Sequence, residues 1–203
     1  MLNVAAIDVG SNAMRMVVGV VDESWRVSTL ESVRLPIRLG QDVFSKGFLE
    51  EKTIQQTEDA FLRFKHVARS FDVQRLRAVA TSAVREARNR DLLLDRILRA
   101  SGIEIEVISG EEEARLIHLA VIRELKLKDK RSTIASHAPG GGPVDKPTLL
   151  VDIGGGSVEV TIFTGRNIIS TDSYGMGTVR LLERLDPDHA SSRHFGKLVR
   201  QYA

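Results

Sequence analysis

Cysteine is absent from the 203-residue chain, so neither a disulfide framework nor thiolate chemistry is available to it. Apolar runs approaching the ~18 residues of a membrane-spanning helix are also missing, and the N-terminus lacks the basic flank and long apolar core of a signal peptide. Neither sign of charge dominates, since 29 Lys and Arg accompany 27 Asp and Glu and the net charge is +2. The sequence therefore predicts a cytoplasmic protein without a nucleic-acid or membrane partner, in which any bound anion is held by local groups.

The residues that are present alternate between strand-like and helix-like segments. Hydrophobic residues make up 42% of the chain, which is enough for a buried core. Their periodicity predicts the order β-β-β-α-β-α-β-α up to residue 125, with helices at about 50–71, 87–100 and 110–125, and a new β-β-β series from residue 148. A loop rich in Gly, Pro and Ser separates the two series. We therefore predict a first domain over residues 1–128, a linker or flexible loop over 129–147, and the start of a second domain over 148–203.

Three consecutive glycines, Gly154 to Gly156, interrupt the second series within "VDIGGGSVEV". They fit neither the G-x-G-x-x-G dinucleotide fingerprint nor the Walker P-loop, because the residues behind them are β-branched and alternate with period two instead of opening a helix. The glycines are therefore predicted to form the turn of a β-hairpin. An acid, Asp152, closes the first strand, and a turn without Cβ atoms lets a large anion approach its backbone N–H groups.

The same pattern occurs near the N-terminus, so that residues 5–19 ("AAIDVGSNAMRMVVG") can be laid on residues 149–163 ("LLVDIGGGSVEVTIF"). Asp8 then matches Asp152, Gly10 matches Gly154, and Arg15 falls at the position of Glu159. A duplicated unit of this kind would place two phosphate-binding turns face to face across a cleft, as suits a phosphate chain or a nucleotide. The alternative is chance, because Asp and Gly are favoured turn residues in any protein.

Five segments in order carry a resemblance to a known family: "AIDVGSNAMRMVVG", "AVATSAVREARN", "IEIEVISGEEEARL", "LLVDIGGGSVE" and "YGMGTVRLLE". Together they resemble the exopolyphosphatase and guanosine pentaphosphate phosphohydrolase (Ppx/GppA) family. The resemblance implies an α/β fold of the actin, Hsp70 and sugar kinase superfamily, in which duplicated ribonuclease-H-like β-β-β-α-β-α units surround a cleft. It also implies removal of the terminal phosphate from inorganic polyphosphate or from pppGpp with a divalent cation, usually Mg²⁺.

The second unit looks truncated. After its three strands and the helix within "GTVRLLERL", the duplication predicts a further β-α-β-α, but only a short tail precedes Ala203. Either the sequence is a fragment of a longer protein or the second domain is reduced. Open sheet edges in such a domain favour a partner, and a homodimer is one expectation.

The acids of "SGEEEARL" can be separated by their expected positions on a helix. Ser109 is a predicted N-cap with Glu112 three residues later, which makes a capping box, and Glu111 can pair with Arg115 across one helical turn. Glu113 is in register with apolar positions, so it should lean towards the buried side. The resemblance implies that Glu113 is the catalytic base; without it, an acid stabilised by the helix dipole would be the better interpretation.

The resemblance also assigns the remaining site residues. It directs Arg85 towards the cleft, where its guanidinium could bind phosphoryl oxygens in bidentate fashion. A divalent cation would lie among Asp8, Asp152 and Glu159, directly or through waters, as suits hard Mg²⁺ with oxygen ligands. The expected phosphate-binding residues lie in or beside the two turns: Gly10, Ser11, Asn12, Arg15, Gly154, Gly155, Gly156 and Ser157.

The function predicted from these residues is phosphoanhydride hydrolysis, with Glu113 activating water for attack on a terminal phosphorus held between the two turns. The expected partners are inorganic polyphosphate or guanosine penta- and tetraphosphate. A non-catalytic sensor that binds the same anions is the main alternative. An ATP-using kinase or ATPase of the superfamily is a weaker one, because no adenosine-binding segment of a later second domain can be read in the sequence.

Overall fold

The computed structural model describes residues 1–131 and 146–184. Most of the predicted 129–147 loop and the tail of the predicted second domain lie outside the described residues. The elements in chain order are β1 (Leu2–Val9), β2 (Met14–Val21), β3 (Val27–Leu35), α1 (Leu39–Lys46), α2 (Glu51–Ser70), β4 (Arg75–Ala80), α3 (Ser82–Glu86), α4 (Arg90–Ser101), β5 (Ile105–Val107), α5 (Gly110–Arg131), β6 (Thr148–Ile153), β7 (Val158–Thr164), β8 (Asn167–Tyr174) and α6 (Thr178–Arg184). Within these ranges, no helix is both long and apolar enough to cross a membrane.

The first sheet has five strands in the order β3-β2-β1-β4-β5. β1 pairs with β2 in antiparallel fashion and with β4 in parallel fashion, so it lies at the centre of the sheet. One face carries the alternating apolar residues of β1 and β2, including Ile7, Val9 and Met16, all at most 1% exposed. These residues share one core with apolar side chains of α2 and α4, among them Phe61 and Leu93. This core fixes the ends of β1 and β4, where the turns of the site begin.

Two short helices, α1 and α3, were not predicted, so the expected β-β-β-α-β-α-β-α order of the first unit was wrong in that respect. Both are too short for a periodic pattern to identify them. α1 buries Leu39 and Val43, one helical turn apart, and ends at Gly47, which has a φ of +79°. α3 has only five residues and follows directly from β4. Their short, buried faces are made by tertiary contacts that local propensity does not encode.

The second sheet has three strands in the order β6-β7-β8, all antiparallel. Helix α5 precedes these strands in the chain and lies within the predicted first domain, yet it packs on the face of the second sheet. His118 and Ile122 of α5 are at most 5% exposed, and the His118 ring meets the Phe163 ring edge to face with 4.5 Å between the centroids. The opposite face of the sheet exposes Leu149, Val151 and Ile153 of β6 by 48 to 65%.

Candidate functional site

Two hairpin turns with the same backbone geometry form the centre of the site. The first hairpin turn, residues 10–13, joins β1 to β2, and the second hairpin turn, residues 154–157, joins β6 to β7. Gly10 N–H donates to Ala13 O at 3.2 Å, and Gly154 N–H donates to Ser157 O at 2.9 Å. Asp8 is paired with Arg15 in one hairpin, just as Asp152 is paired with Glu159 in the other. The two segments aligned by sequence therefore adopt corresponding structures.

The two hairpin turns touch each other. A Cβ atom placed on Gly155 would lie 3.2 Å from Ser11 Cβ, and one placed on Gly156 would lie 2.1 Å from Ser82 Oγ. Ser11 and Ser82 also share a hydrogen bond of 2.9 Å between their hydroxyl groups. Gly156 must therefore be glycine, because any side chain would push the second turn away from the first.

A cavity of about 260 Å³ opens where the hairpin turns meet. It is lined by almost all of the predicted site residues together with four others: Asp8, Gly10, Ser11, Asn12, Ala13, Arg15, Arg34, Thr81, Ser82, Glu113, Asp152, Gly154, Gly155, Gly156 and Ser157. Arg85 and Glu159 are the two predicted residues outside this lining. A larger surface cavity of about 470 Å³ beside α1 and α2 contains none of the predicted site residues, so its size does not make it the better candidate.

Glu113 lies in the first helical turns of α5, and its side chain is 18% exposed. Its Oε2 atom is buried and has no hydrogen-bond partner among the described residues. Burial has the largest effect on the pKa of Glu113 and raises it, and the neighbouring charge of Glu159 raises it further. The charges of Asp8 and Asp152 act in the same direction, whereas Arg85 lowers the pKa, and the result is a pKa raised from 4.5 to about 7. The expectation that this carboxylate leans inward is confirmed, and its pKa is that of a general base near neutral pH.

The other two acids at the start of α5, Glu111 and Glu112, differ in part from the prediction in their hydrogen-bond partners. Ser109 Oγ does accept a hydrogen bond from Glu112 N–H at 3.2 Å, as expected for a cap. The predicted pair of Glu111 with Arg115 was wrong, because Arg115 instead donates two hydrogen bonds to Glu112, at 2.7 and 2.8 Å. A hydrogen bond from the Ser109 side chain is the largest effect lowering the pKa of Glu111. Neither acid has the unpartnered, buried oxygen that distinguishes Glu113.

Arg85 is held beside Glu113 and does not line the cavity. Its Nη1 donates to Ile108 O at 2.7 Å and lies 3.7 Å from Glu113 Oε2. In this position the guanidinium acts on the carboxylate, whose pKa it lowers. The predicted bidentate contact with phosphoryl oxygens stays a prediction.

The three acids predicted to surround a cation, Asp8, Asp152 and Glu159, do not all line the cavity. Glu159 is 2% exposed; its Oε1 accepts a hydrogen bond from Ser173 at 2.9 Å, and its Oε2 is buried without a partner. Burial, and secondarily the charge of Asp152, raise the pKa of Asp8, although Arg15 lowers it. Among the side chains that the structure describes, no three of Asp, Glu or His form a group that could hold a metal ion.

The donor chemistry nevertheless fits Mg²⁺, which in proteins binds one or two carboxylates and completes its octahedron with waters and substrate phosphates. Asp8 and Asp152 line the cavity and could supply those carboxylates. The unpartnered oxygen of Glu159 adds negative charge close by. Binding of a divalent cation therefore stays a prediction, and the carboxylates that line the cavity are suited to it.

Several residues of the site escaped the sequence analysis. Arg34 of β3 lies opposite Arg15 in the β2–β3 register and lines the cavity beside it. The alternation of β3 could have shown this, but only with the strand register known. Arg180 and Gly177, on the far side of the second hairpin turn, contact its backbone. Both lie within "YGMGTVRLLE", one of the segments that carry the family resemblance, but the sequence analysis gave them no role, because only the packing of α6 brings them to the turn.

Comparison with known proteins gives consistent relatives. The model of the Ppx/GppA phosphatase family matches residues 16–203. A guanosine-5'-triphosphate,3'-diphosphate pyrophosphatase of Photobacterium profundum is 34% identical over 184 residues, which are 91% of this chain and 33% of that relative. The chain thus spans about a third of the length of this curated relative.

Solved structures agree. A Ppx/GppA family member of Aquifex aeolicus is 30% identical, with a TM-score of 0.73 over 98% of this chain and 58% of its own. An exopolyphosphatase of Cytophaga hutchinsonii is 27% identical, with a TM-score of 0.72 over 93% of this chain and 54% of its own. The PilM–PilN complex of type IV pilus biogenesis, 12% identical with a TM-score of 0.53, shares the fold alone. The predicted fold class is confirmed. Because the family model matches most of its length and its relatives agree, the chain belongs to the Ppx/GppA phosphatase family.

Proposed function

We propose that this chain carries the hydrolytic site of a phosphoanhydride hydrolase that releases terminal phosphate from inorganic polyphosphate or pppGpp. The observation that carries the proposal is the position of Glu113. It is a largely buried carboxylate with an unpartnered oxygen and a pKa of about 7, facing the cavity formed by two glycine-containing turns. A base and a phosphate cradle are the two components that hydrolysis of a phosphoanhydride requires from the protein.

The proton and the bonds can be followed through the reaction. A water oxygen attacks the terminal phosphorus, the bond from that phosphorus to the bridging oxygen breaks, and the water proton passes to the Glu113 carboxylate. The bridging oxygen leaves with the negative charge on the shortened phosphate chain. A divalent cation, when bound, would neutralise charge on the phosphoryl oxygens. The chain's own contribution to that charge comes from backbone N–H groups of the second hairpin turn and from Arg15.

Arg15 and Arg34 extend the site for a chain of phosphates. They are cross-strand neighbours on β2 and β3, and both line the cavity. Two adjacent guanidinium groups repel each other, and an anion bound between them offsets that repulsion. A substrate with several consecutive phosphates, which polyphosphate and pppGpp both are, supplies such an anion.

The relatives support the same chemical class. One is named for pyrophosphatase action on guanosine-5'-triphosphate,3'-diphosphate, and another is named an exopolyphosphatase. Both substrates end in the same phosphoanhydride group, so the cavity residues that recognise this end serve either one. The choice between them depends on the part of the substrate beyond the terminal phosphates.

The test is phosphate release from polyphosphate, pppGpp and ATP with Mg²⁺, by this chain and by Glu113→Gln. Loss of a general base typically costs ~100-fold to ~10,000-fold in rate, and a loss in this range is expected. Glu111→Gln is the matched control, because it removes an exposed carboxylate two residues away and should leave the rate unchanged. Equal rates for Glu113→Gln and the parent would show that Glu113 is not the base. If neither protein releases phosphate yet both bind the anions, the chain is a sensor.

A further inference from the structure

Three of the four carbonyl groups of the second hairpin turn accept hydrogen bonds from α6. Thr178 N–H donates to Gly154 O at 3.0 Å, and Val179 and Arg180 N–H donate to Gly155 O at 2.8 and 3.1 Å. The next carbonyl is bound by the Arg180 side chain, whose Nε donates to Gly156 O at 2.7 Å. Three successive carbonyls are therefore bound by α6, the last of them by a side chain.

This arrangement determines where the N–H groups point. In a trans peptide the N–H and C=O bonds point in opposite directions, so a peptide whose oxygen faces α6 directs its hydrogen away from α6. The three peptides concerned carry the N–H groups of Gly155, Gly156 and Ser157. None of these groups donates a hydrogen bond within the part of the chain that the structure describes. All three residues line the 260 Å³ cavity.

Arg180 is buried, being 6% exposed, and it binds the first unit as well as the second hairpin turn. Its Nη2 donates to Glu86 of α3, and its guanidinium carbon lies 4.0 Å above the centre of the Phe44 ring of α1. α3 begins at Ser82, which is bonded to Ser11 of the first hairpin turn. One side chain thus connects the backbone of the second hairpin turn to the two helices beside the first.

We propose that Arg180 is a positioning residue: its side chain fixes the Gly156–Ser157 peptide and holds the second hairpin turn against α1 and α3, so that the N–H group of Ser157 converges with those of Gly155 and Gly156 on the terminal phosphoryl group. This inference rests on the proposed function. Successive backbone N–H groups directed at one point bind an anion strongly only if they are oriented before it arrives. The planar guanidinium suits this task, because it bonds a carbonyl and a carboxylate in fixed directions while stacking on an aromatic ring.

Kinetics of Arg180→Gln, Arg180→Lys and the control Leu182→Gln test the proposal, with tripolyphosphate and Mg²⁺ as substrate. Leu182 lies on the same helix and is 61% exposed. Arg180→Gln should raise KM about 10-fold or more and change kcat less than KM, because the N–H groups bind substrate and transition state alike. Arg180→Lys should recover thermal stability better than KM, since one ammonium group cannot reproduce the fork. Leu182→Gln should keep the parental KM.

A merely structural role would lower the folded fraction, which reduces the apparent kcat but leaves KM where it was. An unchanged KM in Arg180→Gln therefore overturns the proposal, as does an equal rise in KM in Leu182→Gln. The amide resonances of Gly155, Gly156 and Ser157 give a second reading by ¹⁵N NMR on the chain without substrate. They should move in Arg180→Gln and stay in place in Leu182→Gln; resonances that do not move contradict the positioning role.

The NMR reading also separates the two proposals. If the parent chain neither hydrolyses nor binds tripolyphosphate, the proposed function fails. Displaced amide resonances in Arg180→Gln would then still establish that Arg180 positions the turn. If the parent is active but Arg180→Gln behaves like Leu182→Gln in both measurements, the positioning role fails and the proposed function stands.

Discussion

The two hairpins share a backbone hydrogen-bond pattern but carry different residues at their turns. A Cβ on Gly10 would lie 3.1 Å from Ala13 O, and one on Gly154 would lie 3.1 Å from Ser157 O. The central positions differ, because the first hairpin turn carries Ser11 and Asn12 where the second has two glycines. Two turns in contact cannot both carry side chains at that point. The two hairpin turns therefore fit together because one carries side chains at these positions and the other carries glycines.

The sheets behind the hairpins differ even more. Ile7 and Val9 of β1 are at most 1% exposed, whereas Val151 and Ile153, the corresponding residues of β6, are 48 and 65% exposed. In the first unit α2 and α4 cover this face of the sheet. The two hairpin turns thus share a hydrogen-bond pattern although, among the described residues, only the first sheet is covered on that face.

The largest expected effect comes from truncating equivalent residues in the two sheets. Ile7→Ala should destabilise the protein by about 2 to 5 kcal/mol, because it leaves a cavity in a closed core. Val151→Ala should change the free energy of unfolding by no more than about 0.5 kcal/mol, since the side chain is already half exposed. Chemical denaturation measures both. Val9→Ala provides the buried control for the same substitution, and a Val151→Ala cost equal to it would mean that the apolar face is covered in solution.

A smaller effect is expected where the two hairpin turns meet. Gly156→Ala should destabilise the protein by about 1 to 3 kcal/mol, because the new methyl group would overlap Ser82 Oγ and the Phe44 ring, 2.1 and 2.6 Å away. Asn12→Ala, at the equivalent position of the first hairpin turn, removes an exposed side chain and should cost no more than about 0.5 kcal/mol. Denaturation curves of the two variants compare them directly. Equal costs would contradict the close contact between the turns.

The smallest effect concerns the charge at the position where the hairpins differ, Arg15 in one and Glu159 in the other. The Glu159 carboxylate raises the pKa of Glu113, so Glu159→Gln should lower it. Because the proposed base acts when deprotonated, activity should then persist to lower pH. Arg85→Gln should have the opposite effect, since Arg85 lowers the same pKa. Titration of the Glu113 carboxyl carbon by ¹³C NMR measures both changes.

Glu112→Gln is the control for this titration, because Glu112 pairs with Arg115 and is absent from the charges that shift the pKa of Glu113. A pKa of Glu113 that stays unchanged in Glu159→Gln and Arg85→Gln would show that the burial of Glu113 alone sets it. An equal shift in Glu112→Gln would show that the effect is not specific to the Glu159 charge.

Sequence patterns predicted the parts of this protein that local rules govern. Strand alternation placed both hairpins, and the helical register of α5 turned Glu113 inward, because burial of one helix face requires it. Even the Ser109 cap follows from residue spacing. What the sequence could not supply depends on how distant elements meet. Arg34 and Arg180 enter the site through strand register and helix packing, and the pairing of Arg115 was misjudged because two acids lay within its reach.

Helix α5 is attached to both sheets: the residues just before it bond to the first sheet, and the helix itself packs on the second. At its start, Ile108 N–H bonds to Ala80 O of the first sheet at 3.0 Å, while His118, further along, packs on Phe163 of the second. Glu113 lies between these two attachments, close to a pivot. In a lever, displacement grows with distance from the fulcrum, so rocking one sheet against the other would carry the outer strands far and this carboxylate little. The proposed proton acceptor thereby lies at the point of the fold that such a motion would displace least.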